Sequence, residues 1–222
     1  MSYFRPKYVT FDCYGTLTNF EMAEAACDLY GATLSDAAMA EFIRIFSAYR
    51  LDEVLGAWKP YAEVVGNALE RSCRKTGVAF RAEDADMIYR RVPTWGPHPD
   101  VPAGLAKVAK EIPLVILSNA MMAQIQSNVD RLGAPFHAVY TAEQAQAYKP
   151  RMRAFEYMFD MLGCGPEDVT HCSSSFRYDL MTAHDLGITN KVWVNRRHEP
   201  ANPYYGYVEI KAISDLPGVF GL

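Results

Sequence analysis

Between residues 113 and 194 the chain alternates short strand-like apolar runs with helical patterns, and this alternation constrains its fold more than any other feature. The run 113–117, Pro-Leu-Val-Ile-Leu, is apolar throughout and stops at Ser118-Asn119. Residues 137–140, 169–172 and 191–194 form three more strand-like runs, and helical patterns occupy 151–162 and 179–186. A further β-rich run, residues 8–11, ends at Asp12 and is followed by a turn at Gly15. Uninterrupted apolar strands are buried on both faces, which calls for helices on both sides. The pattern therefore predicts an α/β protein with a doubly wound parallel sheet.

From about residue 19 to residue 91 the texture is helical instead. Ser35 is placed to cap a helix carrying Met39, Phe42, Ile43, Phe46 and Tyr49 at 3–4 spacing. Pro60 is placed to start the next, with Val64, Val65, Leu69 and Cys73 on one face and Gly77 at its end. Residues 92–102 hold four prolines and read as an irregular return linker. The expected organisation is a Rossmann-like core made of residues 1–18 and 97–222, with residues 19–96 inserted after the first strand as a helical cap.

Composition removes several function classes. The 222 residues carry 22 Lys+Arg against 26 Asp+Glu, a net charge of −4, which offers no basic field for nucleic acid. The longest uncharged stretch, residues 112–129, contains a proline and six Ser, Asn and Gln residues and is not expected to enter a membrane. The opening residues show no apolar leader pattern. Five widely spaced cysteines, with no CxxC pair, fit free thiols in a reducing compartment, so a cytoplasmic location is expected.

In doubly wound sheets ligands bind at the carboxyl ends of the strands. Asp12, Ser118, Lys149 and the segment 174–179 all fall just beyond predicted strand ends, so four polar clusters converge on one edge. Asp12 alone could be a turn-forming residue. Lys149 changes that, because an ammonium at a neighbouring strand end keeps a partly buried carboxylate ionised. Such a carboxylate can attack an electrophilic centre and form an ester that water then hydrolyses. Thr16 and Ser118 supply hydroxyls to orient its oxygens or the substrate.

The segments Phe11-Asp12-Cys13-Tyr14-Gly15-Thr16-Leu17, Leu117-Ser118-Asn119, Tyr148-Lys149-Pro150 and Ser174-Ser175-Phe176-Arg177-Tyr178-Asp179 resemble the four motifs of the haloacid dehalogenase (HAD) superfamily. They span most of the chain in that family's order. Most members of the superfamily are magnesium-dependent phosphotransferases, which carry an acid two residues after the nucleophile and another in the last motif. Tyr14 and the Ser174-Ser175 pair stand at those positions here, and a hard cation wants charged oxygen ligands. The form of the first motif resembles the L-2-haloacid dehalogenases, which use no metal and no cofactor.

That resemblance implies a division of roles. Asp12 attacks the halogen-bearing carbon of a small carboxylic acid, and Lys149 holds it ionised. Ser118, with amides near Tyr14, receives the substrate carboxylate. Asp179 activates the water, aided by Lys149 and Ser174. Arg44, 32 residues after Asp12 on the second cap helix, and Asn119 receive the halide, with Arg50 as the alternative arginine. Asp179 could equally cap the helix that follows it, and Arg44 could be a solvated helix residue. A homodimer is a further implication.

Two positions depart from the dehalogenase pattern: Phe176 replaces an asparagine and Phe155 a tyrosine. Phe176 makes the expected pocket more apolar, and three alternatives stand beside halide release. They are a non-halide leaving group such as the ring nitrogen of a strained cyclic amino acid, a carboxylate binder without turnover, and a magnesium phosphatase. Cys13 is expected to pack in the core, and the five histidines show no metal spacing.

Overall fold

A computed structural model of the chain describes residues 4–222. Among them, six strands form one wholly parallel sheet: β1 (Tyr8–Phe11), β2 (Leu114–Ser118), β3 (Ala138–Thr141), β4 (Val169–Ser173), β5 (Lys191–Val194) and β6 (Val208–Ile210). Their spatial order is β3-β2-β1-β4-β5-β6, so the chain winds outward from β1 in both directions. β1, β2 and β4 are central, and β2 and β4 are buried at every position, as strands covered on both faces must be.

Register sorts the side chains. Val9 and Phe11 on β1, Cys172 on β4, and Val192 and Val194 on β5 share one face and one apolar cluster with Leu105, Ile213 and Leu216. Val115, Leu117, Phe155, Met158 and Ile188 form the cluster on the other face. Thr10, His171 and Lys191 are paired across β1, β4 and β5, so they lie side by side on that second face.

The chain divides into two compact units, one comprising the residues up to Asn19 with Gly96–Leu222, the other Phe20–Trp95. The second consists of α1 (Met22–Tyr30), α2 (Asp36–Leu55), α3 (Tyr61–Thr76) and α4 (Ala82–Arg91). Ser35 accepts from Ala38 N and caps α2, and Gly77 closes α3 in the left-handed conformation. The buried stripe of α2 runs through Met39, Phe42, Ile45, Phe46, Arg50 and Val54, so Ile45 and Arg50 take the inner positions expected of Ile43 and Tyr49. Inside the helical unit Asp84 is fully buried, bonded by the Tyr30 hydroxyl at 2.8 Å and paired with Arg81.

The sheet unit adds α5 (Val101–Val108), α6 (Met122–Val129), α7 (Ala142–Ala145), α8 (Met152–Leu162), α9 (Met181–Asp185) and α10 (Leu216–Val219). The proline-rich stretch is only partly irregular: residues 92–94 make a 3₁₀ turn, and Pro102 sits in the first turn of α5. A proline costs nothing there, because the first amides of a helix have no intrahelical partner. The third strand runs one residue later than the pattern suggested. β6 escaped the sequence reading because three residues ending an open sheet, two of them exposed, leave almost no apolar signal.

Candidate active site

The site begins where β1 ends. The Asp12 amide donates to Cys172 O at 3.1 Å, carrying the ladder one residue past the strand. The chain then reverses at Gly15, whose φ of 89° is open to glycine at little cost. The amides of Leu17 and Thr18 both donate to Cys13 O within this turn. Folded back, the Thr16 hydroxyl donates to Asp12 Oδ2 at 2.7 Å and accepts from Ser174 N at 2.9 Å. Ser174 Oγ donates to Gly15 O at 3.0 Å. Thr16 and Ser174 thus tie the first motif to the last.

Lys149 is 1% exposed and spends all three of its donors. They go to Asp12 Oδ1 at 2.8 Å, Asp179 Oδ1 at 2.7 Å and Leu117 O at 2.8 Å. Burial acts to lower its pKa, but the two carboxylates outweigh it and hold the ammonium charged. At Asp12 the balance runs the other way. Burial raises its carboxyl, Lys149 opposes, Asp179 adds to the rise, and the net lies above the ordinary value. One ammonium shared between two buried carboxylates does not neutralise both.

Asp179 lies in a π-helical turn over Phe176–Leu180, which aims its carboxylate back at β4. Its Oδ1 takes Lys149 and stands 3.1 Å from His171 Nε2, and its Oδ2 accepts from Ser173 Oγ at 3.0 Å. Burial works to raise Asp179, yet Lys149 and His171 keep it below its ordinary value. Ser175, not Asp179, caps this turn, accepting from Tyr178 N at 3.2 Å. With all these bonds made, the carboxylate has no part in capping.

The other residues singled out from the sequence fall into distinct settings. Ser118, at the end of β2, is buried and its hydroxyl meets no partner, which leaves a donor for an incoming oxygen. Asn119 spends both ends of its amide on Lys149, accepting from Lys149 N at 2.7 Å and donating to Lys149 O at 2.9 Å. The Tyr14 hydroxyl donates to Asn128 Oδ1 on α6 at 2.9 Å. Phe176 packs among Trp193, Tyr205 and Tyr207, so its ring belongs to an aromatic cluster of the sheet unit. Phe155 packs edge-on to His171, 5.1 Å between centroids.

In the helical unit the two arginines contrast. Arg44 is exposed and forked onto Glu41 through two 2.7 Å bonds. Arg50 is buried, stacked on Phe20 and Phe46 at 5.0 and 4.8 Å, and its Nε has no partner. Among the described residues no carboxylate pairs with it.

Several residues escaped the sequence reading. His171 and Ser173 both bond Asp179, and their signal was two polar residues at alternate positions of a buried strand. Glu199 accepts from Ser175 Oγ and from the amide of Phe176, fixing the turn before Asp179. Arg196 donates to Thr16 O and pairs with Asp100 at 2.8 Å, bracing the first-motif loop. No local pattern marks these two, because their partners lie far along the chain.

Among the described residues no group of three or more His, Cys, Asp or Glu is placed to hold a metal ion. Between the carboxylates of Asp12 and Asp179 stands the Lys149 ammonium.

A family model for haloacid dehalogenase-like hydrolases matches residues 6–187. The (S)-2-haloacid dehalogenase H-109 of Pseudomonas putida is 24% identical over 193 residues, 85% of each chain. Haloacetate dehalogenase H-2 of Moraxella sp. (strain B) is 25% identical over 192 residues, again 85% of each. An L-2-haloacid dehalogenase from Xanthobacter autotrophicus, solved with chloropropionic acid covalently bound, gives a TM-score of 0.76 at 21% identity, covering 97% of this chain and 98% of that one. YfnB from Bacillus subtilis, solved with magnesium, gives 0.83 at 17%, covering 99% and 100%. Structural likeness at these identities shows the fold, and it extends to a magnesium-bound protein. The chemistry must be argued from the residues at the strand ends.

Proposed function

The chain belongs to the haloacid dehalogenase-like hydrolase family, and from that premise we propose that it is a metal-independent hydrolase of 2-haloacids acting through an ester on Asp12. One observation carries the reading. Asp12 is held by Lys149 on one oxygen and Thr16 on the other, at an edge where the buried Ser118 hydroxyl still lacks a partner. An ammonium in contact with both acidic side chains keeps Asp12 charged and positioned, which suits displacement at carbon by a carboxylate.

In this reading Asp12 attacks the carbon bearing the halogen, halide leaves, and Ser118 receives the substrate carboxylate. Water then attacks the ester carbonyl, with Asp179 as base beside Lys149 and Ser174, releasing a 2-hydroxy acid. Arg50, unpaired by any acid among the described residues, is the better candidate than Arg44 to stabilise the departing halide. Relatives described as (S)-2-haloacid dehalogenases support the (S) substrate. The five free thiols suit a cytoplasmic enzyme, and a homodimer is part of the proposal.

Phe176 favours a second reading, in which the leaving group is a ring nitrogen. Its ring sits in an aromatic cluster and offers no polar contact to a halide or a water. Purified protein should be assayed with and without EDTA on chloroacetate, 2-chloropropionate, a strained cyclic amino acid and a generic phosphate ester. Haloacid turnover indifferent to EDTA supports the first reading, and ring opening without it supports the second. EDTA-sensitive phosphate release alone would overturn both. A single turnover in ¹⁸O water should place label in Asp12, and label confined to product would exclude the ester.

A further inference from the structure

The segment after β5, residues 195–199, belongs to none of the motifs read from the sequence, yet it touches both turns that carry the catalytic carboxylates. Asn195 N donates to Ile210 O at 2.8 Å, carrying the ladder with β6 past the strand end. Arg197 then takes a φ of 63°, a left-handed conformation that strains any residue but glycine, and its amide donates to Asn195 Oδ1 at 3.0 Å. Two residues of opposite charge flank this kink, Arg196 before it and Glu199 after it. Their side chains are only 10% and 16% exposed.

Each holds a different turn. Arg196 Nε and Nη2 both donate to Thr16 O, at 3.2 and 3.0 Å. A fork onto Asp100, at 2.8 and 2.9 Å, fixes the guanidinium, and Asp100 is itself held by Ile213 N at 2.6 Å. Burial works to raise the Asp100 carboxyl, but Arg196 and that amide keep it below its ordinary value. Thr16 is the residue whose hydroxyl holds Asp12 Oδ2, so Arg196 anchors the nucleophile's partner through its backbone. Glu199 Oε1 accepts from Ser175 Oγ at 2.7 Å, and Oε2 accepts from the amides of Phe176 and Arg177 at 2.9 and 3.4 Å. Ser175 Oγ in turn accepts from Tyr178 N at 3.2 Å. A carboxylate on the free amides that open a helical turn steadies it, and this turn carries Asp179.

We propose that residues 195–199 form a positioning loop that serves the two half-reactions separately: Arg196 sets Asp12 for ester formation, and Glu199 sets Asp179 for ester hydrolysis. Both act through other residues, and neither is a catalytic residue. In the first half an Asp12 oxygen bonds to carbon as the carbon–halogen bond breaks. In the second, water oxygen joins the Asp12 carbonyl carbon; Asp179 takes one water proton and passes it to the departing alkoxide. The other proton leaves the regenerated Asp12 acid for solvent. A displacement on the order of 1 Å in a reacting group costs about 10²-fold in rate, so a loosened turn should be visible in the step it serves.

The inference rests on the proposed use of Asp12 and Asp179, but its first test needs no substrate. Arg196→Lys keeps the charge and loses the fork, and should speed hydrogen exchange at the Leu17 and Thr18 amides. Glu199→Ala should speed it at Phe176 and Tyr178. Exchange that rises equally in both turns in either variant, or in neither turn, would overturn the proposal. The second test is pre-steady-state kinetics on 2-chloropropionate, reading chloride release and the protein-bound ester by intact mass. In Arg196→Lys chloride release in the first turnover should fall on the order of tenfold, with ester hydrolysis unchanged. In Glu199→Ala hydrolysis should fall by a similar factor and the ester accumulate. Glu199→Gln, which keeps an acceptor for Phe176 N, should recover much of that loss. Equal slowing of both steps in either variant would reject the division of labour. If Arg196→Lys does not fold, Asp100→Asn, which keeps an acceptor for Ile213 N, should slow the same step. Wild-type protein that forms no ester would refute the reading of Asp12, and the exchange result would still decide whether the loop holds the two turns.

Discussion

Lys149 in the sheet unit and Arg44 in the helical unit are both cations held against carboxylates at 2.7–2.8 Å, yet the Lys149 side chain is 1% exposed and that of Arg44 67%. The partner of Arg44 is three residues away on the same helix, brought there by the helical period. Asp12, the partner of Lys149, is 137 residues away, brought there by parallel strands that end at one edge. An exposed local pair is screened by water and contributes little. A buried pair is different: removing one member strands the other without solvent. The same distance therefore means surface solvation in one unit and chemistry in the other.

The sharpest way to break this comparison is Lys149→Met, which keeps the stem and deletes the charge. Two buried carboxylates would then face each other with no ammonium between them. Stability should drop by about 3–5 kcal/mol, read as a lower urea midpoint with unchanged slope. Loss should ease in acid, where Asp12 and Asp179 protonate. Turnover of any substrate that uses Asp12 should fall by roughly 10³-fold or more. A variant as stable as wild type at neutral pH would mean the cluster holds fewer charges than its geometry implies.

The contrast between the units also explains what could be read from the sequence. The sheet site was legible because its residues end a strand or lie in the segment that follows one, and strand ends in a doubly wound sheet share an edge by construction. Asp12, Thr16, Ser118, Lys149 and Asp179 needed no side-chain detail to be found. Asn119 was found, but not its use, because its grip on the Lys149 backbone depends on loop geometry. Phe176 was read as pocket lining; the π-turn sends it to Trp193 and Tyr207 instead. The arginine was chosen by spacing, and spacing on a helix settles a face only if the buried stripe is known. That stripe passes through Ile45 and Arg50.

A second, smaller effect follows for the arginines. Arg50→Ala removes a cation buried on two aromatic rings, and if it stabilises the leaving halide, turnover should fall on the order of 10²–10³-fold. Chloro-substrates should suffer more than iodo-substrates, since iodide departs with less help. Arg44→Ala should leave turnover, and the chloro-to-iodo ratio, where they were. The reverse outcome would restore the arginine that spacing selects and remove the contrast drawn between the two units.

The smallest effect tests whether the sheet site is strained by its own charges. Asp12 has a folded carboxyl raised above its ordinary value of 3.8, chiefly by burial. The ionised form is thus disfavoured in the folded state. That cost is present in full above the folded pKa and vanishes as pH falls below the ordinary value. Asp12→Asn removes the charge and should abolish turnover while raising stability at neutral pH by ~1 kcal/mol, a trade that active sites commonly show. The gain should shrink as pH falls through the folded pKa of Asp12, so thermal melts of both proteins should converge in acid. No comparable convergence is expected for Glu41→Gln, whose carboxylate is lowered by its contacts with Arg44 and lies at the surface. If Asp12→Asn were less stable than wild type at neutral pH, the Lys149 ammonium would be stabilising Asp12 more than burial costs it.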